Sequence, residues 1–239
     1  MKICVILPTL NEERGIVKII NAVPNPLVNK IIVVDGNSSD KTIELVKQCH
    51  KPACNIEFMY QKGRGKGMAF QSFLNSFDLN NQDLYVMFDA DCTYDPKEIR
   101  SIITPIINNE ADVVMGNRFE SKNIKEVMSF TTFLGNKLLT FFSKFLYFKD
   151  PKDVCTGYWA FSREFLKKIK IKAKDFDLEA NLFTEAVKHK FRIKTIPINY
   201  KQRVGVKKLR KKHGFIILFR LLREAMLNNF RITSIKQEN

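Results

Sequence analysis

The feature that most constrains the fold is an alternation: short runs of β-branched and apolar residues, each ending in a polar or glycine-bearing loop, with helix-compatible stretches between them. Such runs occupy residues 3–7, 31–34, 56–60, 84–88 and 113–115. Strands buried on both faces read as near-continuous apolar runs, and strands that alternate with helical patterns build a mostly parallel sheet with helices covering it. The expected fold class is therefore α/β, a Rossmann-like sheet flanked by helices. At 239 residues the chain suits one catalytic unit, expected over 1–200, with a basic and amphipathic C-terminal segment over 201–239.

In parallel sheets, ligands collect where strands end, because loops vary there and helix N-termini offer unpaired N–H groups. Four loops in this chain fit that position: Pro8-Thr9-Leu10-Asn11-Glu12-Glu13, Asp35-Gly36-Asn37-Ser38-Ser39-Asp40, Gln61-Lys62-Gly63-Arg64-Gly65-Lys66-Gly67 and Asp89-Ala90-Asp91. Two carboxylates one residue apart can hold a hard divalent ion whose other positions go to phosphate oxygens, though an isolated pair reads equally well as a turn or helix cap. Asp35 ends its strand with a carboxylate able to accept from a base or ribose, and Ser39 or Asp40 can cap the following helix. The glycine-rich loop is too closely spaced for a dinucleotide fingerprint and lacks a Walker ending, which leaves a basic loop near phosphates. After the fifth run, Gly116-Asn117-Arg118 offers a guanidinium that can grip a phosphate or simply pair with a carboxylate.

Other chemistries find less support. The five cysteines are scattered without a C-x-x-C pair, so reduced thiols are expected rather than a disulfide framework or zinc site. His50, His189 and His213 share no ligand spacing, which favours surface or packing roles. The N-terminus lacks the pattern of a secretory signal, and no apolar run approaches the roughly 18–20 residues of a membrane span. Lysines and arginines number 40 against 25 acids, a formal charge of +15, which directs the surface toward phosphates, nucleic acid or anionic lipid. No nucleic-acid recognition motif stands out, and acidic strand-end loops repel phosphates unless a metal is present, so nucleic acid is not the expected partner.

Taken in order, Pro8 to Glu12, Val34-Asp35-Gly36, Gly63 to Gly67, Asp89-Ala90-Asp91, Asp95-Pro96, Gly116-Asn117-Arg118, Asp153 to Gly157, Glu179, and Arg203 to Leu209 form a series. That series resembles the inverting family 2 glycosyltransferases of GT-A fold, in particular archaeal dolichyl-phosphate (polyprenyl-phosphate) mannose or hexose synthases. The resemblance implies transfer of a hexose from a nucleotide sugar, GDP-mannose favoured over UDP-glucose or UDP-N-acetylglucosamine, to a dolichyl or polyprenyl phosphate, with Mn2+ or Mg2+ as cofactor. A sugar hydroxyl is the alternative acceptor. By the same resemblance Pro8, Leu10, Glu12 and Asp35 hold the nucleoside, with Lys62, Arg64 and Lys66 near the nucleotide sugar. Asp89 and Asp91 serve the metal and diphosphate, Arg118 approaches the acceptor phosphate, and Arg203 and Lys208 close over the phosphates. Asp153 and Glu179 are secondary candidates near the sugar and acceptor. Some relatives carry a glutamine two residues past the paired aspartates, where this chain has Thr93.

A lipid acceptor requires contact with a membrane. Residues 127–148 concentrate seven phenylalanines and tyrosines around Lys137 and Lys144, as in a helix at a headgroup boundary. Residues 201–212 carry seven basic residues and no acid, and an apolar helix-compatible stretch follows. The expected location is peripheral, on the cytoplasmic face of the cell membrane.

Overall fold

The computed structural model describes residues 1–209 and 212–237, with side chains of the last helix described over 213–227; positions 210 and 211 of the basic run lie outside the described residues. Seven strands form one sheet: β1 (Ile3–Thr9), β2 (Lys30–Asp35), β3 (Asn55–Tyr60), β4 (Leu84–Met87), β5 (Val113–Asn117), β6 (Trp159–Ser162) and β7 (Ile193–Pro197). Their order is β3-β2-β1-β4-β6-β5-β7, and every pairing is parallel except those of β6, which runs antiparallel to β4 and β5. The five apolar runs of the sequence are β1 to β5. The four residues of β6 and the half-exposed β7 carried no comparable signal.

Alternation along the strands divides the core in two. Cys4, Ile6, Ile32 and Val34 face one layer, and Ile3, Val5, Leu7, Ile31 and Val33 face the other. The first layer contains Trp159, Phe161 and Phe165, stacked with centroids 5.9 and 5.5 Å apart, and each such side chain contributes roughly 1.5–3 kcal/mol by leaving water. Ile217, Leu221 and Ala225 of the C-terminal helix, Lys212–Gln237, enter this same layer, next to Phe183 of the helix Leu178–Lys188.

The helices are α1 (Ile16–Ala22), α2 (Thr42–Gln48), α3 (Lys66–Ser76), α4 (Ile99–Ile107), α5 (Ile124–Val127), α6 (Phe130–Tyr147), α7 (Arg163–Lys168), α8 (Leu178–Lys188) and α9 (Lys212–Gln237). Ser129 caps α6 by accepting from Thr132 N, and Phe148 closes it in the left-handed region at φ 53°. The helix packs against α9, where the Tyr147 hydroxyl donates to Leu221 O at 2.6 Å. Asn136, Leu139, Thr140, Ser143 and Tyr147 form its buried face. On the opposite side Phe130, Leu134, Leu138, Phe141 and Phe145 are exposed, and Phe148 just beyond the helix is exposed with them. At 100° per residue the five within the helix fall in an arc of about 80°. Over its described side chains α9 behaves alike, leaving Phe215, Phe219, Leu222 and Met226 exposed opposite its buried residues. Among the described residues, no helix is long and apolar enough to cross a membrane.

The chain runs from β1 outward to β3, then returns to place β4 on the other side of β1. The carboxyl ends of β1 and β4 therefore diverge into a crevice, the usual ligand position in an open α/β sheet.

Candidate functional site

The first two strand-end loops are stitched to each other. Asn11 N donates to Ser38 Oγ at 2.8 Å, Ser39 N to Asn11 Oδ1 at 2.8 Å, and Glu12 N to Thr42 Oγ1 at 2.8 Å. Asn11 and Asn37 both take positive φ, 49° and 63°, which asparagine tolerates better than most residues. Asp35 is fully buried and accepts from Ser38 N at 2.9 Å and Ser38 Oγ at 2.5 Å, so it shapes the turn that presents Gly36 and Asn37. Asp40 accepts from Thr42 N at the start of α2.

Pro8, Leu10, Glu12, Gly36, Asn37, Gln61, Arg64, Lys66, Asp89, Asp91, Arg203 and Lys208 line a cavity of about 620 Å³. Asp35 and Lys62 are absent from that lining, and Lys62 is exposed. Four lining residues, Ala69, Asp175, Phe176 and His213, carried no site signal in the sequence. Gln61 donates to Gly63 O, while Phe176 and His213 stack with ring centroids 4.7 Å apart. The histidine thus combines a packing role with a place in the cavity wall.

The paired aspartates differ in setting. Asp91 is 1% exposed; its Oδ1 accepts from Thr93 N at 3.0 Å and Thr93 Oγ1 at 2.6 Å, and Arg203 reaches its Oδ2 at 2.6 Å. Burial, with the negative charge of Asp89 beside it, raises the Asp91 carboxyl above its ordinary value against the pull of Arg203 and Thr93. Asp89 has a side chain 27% exposed and pairs with Lys66. A Cβ at Gly157 would stand 2.7 Å from Asp89 Oδ2, so a glycine there keeps that oxygen clear. Among the described residues no group of three or more His, Cys, Asp or Glu side chains is arranged for a metal. Two carboxylates in one cavity wall, one of them partly exposed, fit a hard divalent ion that draws its other oxygens from phosphate and water.

The glycine-rich loop has a second use that spacing alone did not reveal. A Cβ at Gly65 would approach Lys174 O to 2.5 Å, and one at Gly67 would collide with Ala173 O. These glycines let the start of α3 press against residues 173–175, where Met68 N donates to Lys174 O at 3.1 Å. Lys66 is thereby carried inward between Asp89 and Glu179, its Nζ 2.6 Å from Glu179 Oε1. Burial lowers the Lys66 ammonium, but the two carboxylates outweigh it and the net shift is upward. Burial raises Glu179, and Lys66 opposes that shift.

Residues 201–209 form a strap across this region. Lys201 N donates to Thr93 O and Val204 N to Asp91 O, both at 2.9 Å. The strap brings Arg203 to Asp91 and Lys208 to Glu12. Burial raises the Glu12 carboxyl, opposed by Lys208.

Beyond the strap lies a second cavity, of about 350 Å³, whose walls include Arg118, Thr132, Asn136, Glu179, Tyr200, Lys201 and Lys207. Arg118 is 6% exposed and makes a bidentate pair with the fully buried Asp153, through Nε at 2.7 Å and Nη2 at 2.8 Å. Its guanidinium carbon lies 5.3 Å from the Tyr200 ring centre. Lys66, Asp89, Phe176, Arg203 and Leu209 line both cavities, which therefore meet at these five residues.

Residues 4–170 match glycosyl transferase family 2, well over half of the chain. The chain belongs to glycosyl transferase family 2. Relatives of this glycosyltransferase include polyprenyl-phosphate sugar synthases. A Methanococcus voltae protein, UDP-N-acetylglucosamine--dolichyl-phosphate N-acetylglucosaminyltransferase, is 28% identical over 237 residues, covering 92% of this chain and 94% of the relative. The Pyrococcus furiosus dolichol-phosphate mannosyltransferase is 25% identical over 232 residues, covering 93% and 63%. The low-salt glycan biosynthesis hexosyltransferase Agl6 of Haloferax volcanii is 32% identical over 206 residues, or 84% of this chain, yet the match spans only 48% of that protein. Among solved structures, glucosyl-3-phosphoglycerate synthase from Mycobacterium tuberculosis, in complex with Mn2+, uridine diphosphate and phosphoglyceric acid, superposes with a TM-score of 0.70 at 20% identity. That match covers 94% of this chain and 78% of the other, and it establishes the GT-A fold of this family 2 member.

Proposed function

We propose that this glycosyltransferase moves a hexose from a nucleotide sugar to the phosphate of a dolichyl or polyprenyl lipid, with inversion, while resting on the cytoplasmic face of the cell membrane. The observation that carries this reading is the meeting of two unlike cavities at Lys66, Asp89, Phe176, Arg203 and Leu209. One has the strand-end turns and carboxylates suited to a nucleotide and its metal. The other has cations in its wall and borders the start of α6 and Ile217 of α9, the two helices with exposed apolar stripes.

In this reading Pro8, Leu10 and Glu12 hold the nucleoside, with Arg64 beside the phosphates and the Asp35 turn framing the pocket. Mn2+ or Mg2+ on Asp89 and Asp91 supplies charge neutralisation of the departing diphosphate, worth several kcal/mol in typical sites. Arg203 and Lys208 exchange their carboxylate partners for phosphate oxygens when the donor enters. Arg118 spends two donors on Asp153 and retains others of its five for the acceptor phosphate. An acceptor phosphate is already anionic near neutral pH, so the reaction needs cations and alignment more than a general base. The phosphate oxygen bonds to the anomeric carbon from one side as the bond to the donor's β-phosphate oxygen breaks on the other. The nucleoside diphosphate leaves with the electron pair.

GDP-mannose is the first donor assignment. A second, UDP-N-acetylglucosamine, is supported by the Methanococcus voltae relative, which matches nearly end to end. The test is a screen of radiolabelled GDP-mannose, UDP-glucose and UDP-N-acetylglucosamine with dolichyl phosphate and Mn2+ or Mg2+. Label is expected in organic-solvent-extractable lipid with one donor. Label appearing only on sugar hydroxyl acceptors overturns the lipid-phosphate assignment.

A further inference from the structure

Lys66 joins two carboxylates that differ in how firmly they are held. Glu179 stands in the first turn of α8 and is 7% exposed. Lys66 opens α3, and α3 is pressed onto residues 173–175 by Gly65 and Gly67, with Gln71 Nε2 donating to Ala173 O at 2.7 Å. The separation of Lys66 from Glu179 is thus built into two locked backbones. Asp89 instead lies in the loop beyond the end of β4 and keeps a side chain 27% exposed, with its Oδ2 facing a glycine, Gly157, rather than a side chain. Of the two partners, Asp89 is the one able to exchange Lys66 for another ligand.

We propose that Glu179 is a positioning residue that acts through Lys66: it retains the ammonium so that Asp89 can turn to a divalent cation without Lys66 following. An ammonium has three donors, so the Glu179 bond leaves Lys66 able to face the junction of the two cavities, which it lines. Without Glu179, Lys66 has Asp89 as its remaining carboxylate partner and competes one-to-one with the cation for it. This inference rests on the reading of Asp89 and Asp91 as the metal and diphosphate site.

The test is a double-mutant cycle read by Mn2+ affinity rather than turnover. Free Mn2+ is followed by its electron paramagnetic resonance signal, with the full chain and saturating GDP or UDP. Glu179→Gln is expected to weaken Mn2+ binding about tenfold, a common size for coupling between groups in contact. In a Lys66→Met background the same substitution is expected to change affinity by less than about twofold. Lys66→Gln provides a second charge-free background, and thermal melting confirms that each variant is folded. Equal losses in both backgrounds mean that Glu179 acts by its own charge, and they overturn the proposal, as does unchanged affinity in Glu179→Gln alone. Failure of the unsubstituted protein to bind Mn2+ with either nucleotide removes the metal site and this inference together, an outcome distinct from the other two.

Discussion

The crevice at the ends of β1 and β4 and the outer face of α6 and α9 leave opposite things unfinished. In the crevice nearly every charge already has a partner: Lys208 with Glu12, Arg203 with Asp91, Lys66 with Asp89 and Glu179. A ligand entering there must exchange partners rather than meet bare charges, which favours ligands that bring both a cation and phosphates. On the helices the reverse holds, since ten large apolar side chains, Phe130, Leu134, Leu138, Phe141, Phe145, Phe148, Phe215, Phe219, Leu222 and Met226, are exposed. Large apolar side chains gathered on an exposed helix face are the kind of surface that serves interactions. One region holds paired charges, the other apolar side chains left in water.

The contrast breaks most visibly at Asp91. Asp91→Ala removes a carboxylate that both Arg203 and the Thr93 pair now organise, and it is expected to lower kcat by at least about 10³-fold, the loss of several kcal/mol. Single-turnover assays with added Mn2+, alongside circular dichroism to confirm folding, check this. Near-normal transfer by the variant removes Asp91 from the reaction.

Arg118 tests whether the acceptor side follows the same rule of exchange. Its bidentate bond to Asp153 is buried on both sides, so Arg118→Ala leaves an uncompensated buried carboxylate. The expected cost is about 3–5 kcal/mol of stability, seen as a lower denaturation midpoint. Arg118→Met with Asp153→Leu is expected to recover most of that stability while lipid-phosphate transfer stays impaired. Recovery of transfer in the double variant would show that the pair serves the fold alone.

These pairs also show how far the sequence could be read. The strand-end positions of Asp35 and Asp89 followed from apolar runs, because β1, β2, β4 and β5 are buried along nearly their whole length and read as continuous apolar stretches. Strand β6, Trp-Ala-Phe-Ser, was hidden because it contains no β-branched residue, and β7 because Lys194 interrupts its short apolar pattern and Pro197 ends it. The partnership of Lys66 with Glu179 spans 113 positions, and that of Arg118 with Asp153 spans 35, separations at which no local pattern exists. Resemblance nominated all four residues; only the fold shows that they neutralise one another. Thr93, standing where some relatives have glutamine, holds Asp91 through both its amide and its hydroxyl. The 63–67 loop reads in sequence as a basic loop near phosphates, and the fold adds that Gly65 and Gly67 are required by the carbonyls of residues 174 and 173.

The helical surface gives the smallest expected effect and the cleanest separation from the chemistry. Phe141 and Phe145 are 63% and 68% exposed on α6, so replacing both with glutamate removes no core contact and is expected to change stability by less than about 0.5 kcal/mol per site. Lys137 and Lys144 on the same helix are exposed, which suits a surface that combines apolar and cationic character. Co-sedimentation with vesicles containing anionic phosphatidylglycerol is expected to fall at least about tenfold in the double variant, since each aromatic entering the interface contributes roughly 1.5–3 kcal/mol when fully transferred. Transfer to a short-chain, water-soluble prenyl phosphate is expected to continue, because neither residue lines a cavity wall. Unchanged sedimentation, together with a shift from dimer to monomer in analytical ultracentrifugation, would assign the stripe to a second copy of the chain instead. Loss of both sedimentation and soluble-acceptor transfer would mean that α6 shapes the acceptor cavity itself, joining the crevice and the helical face into one functional surface.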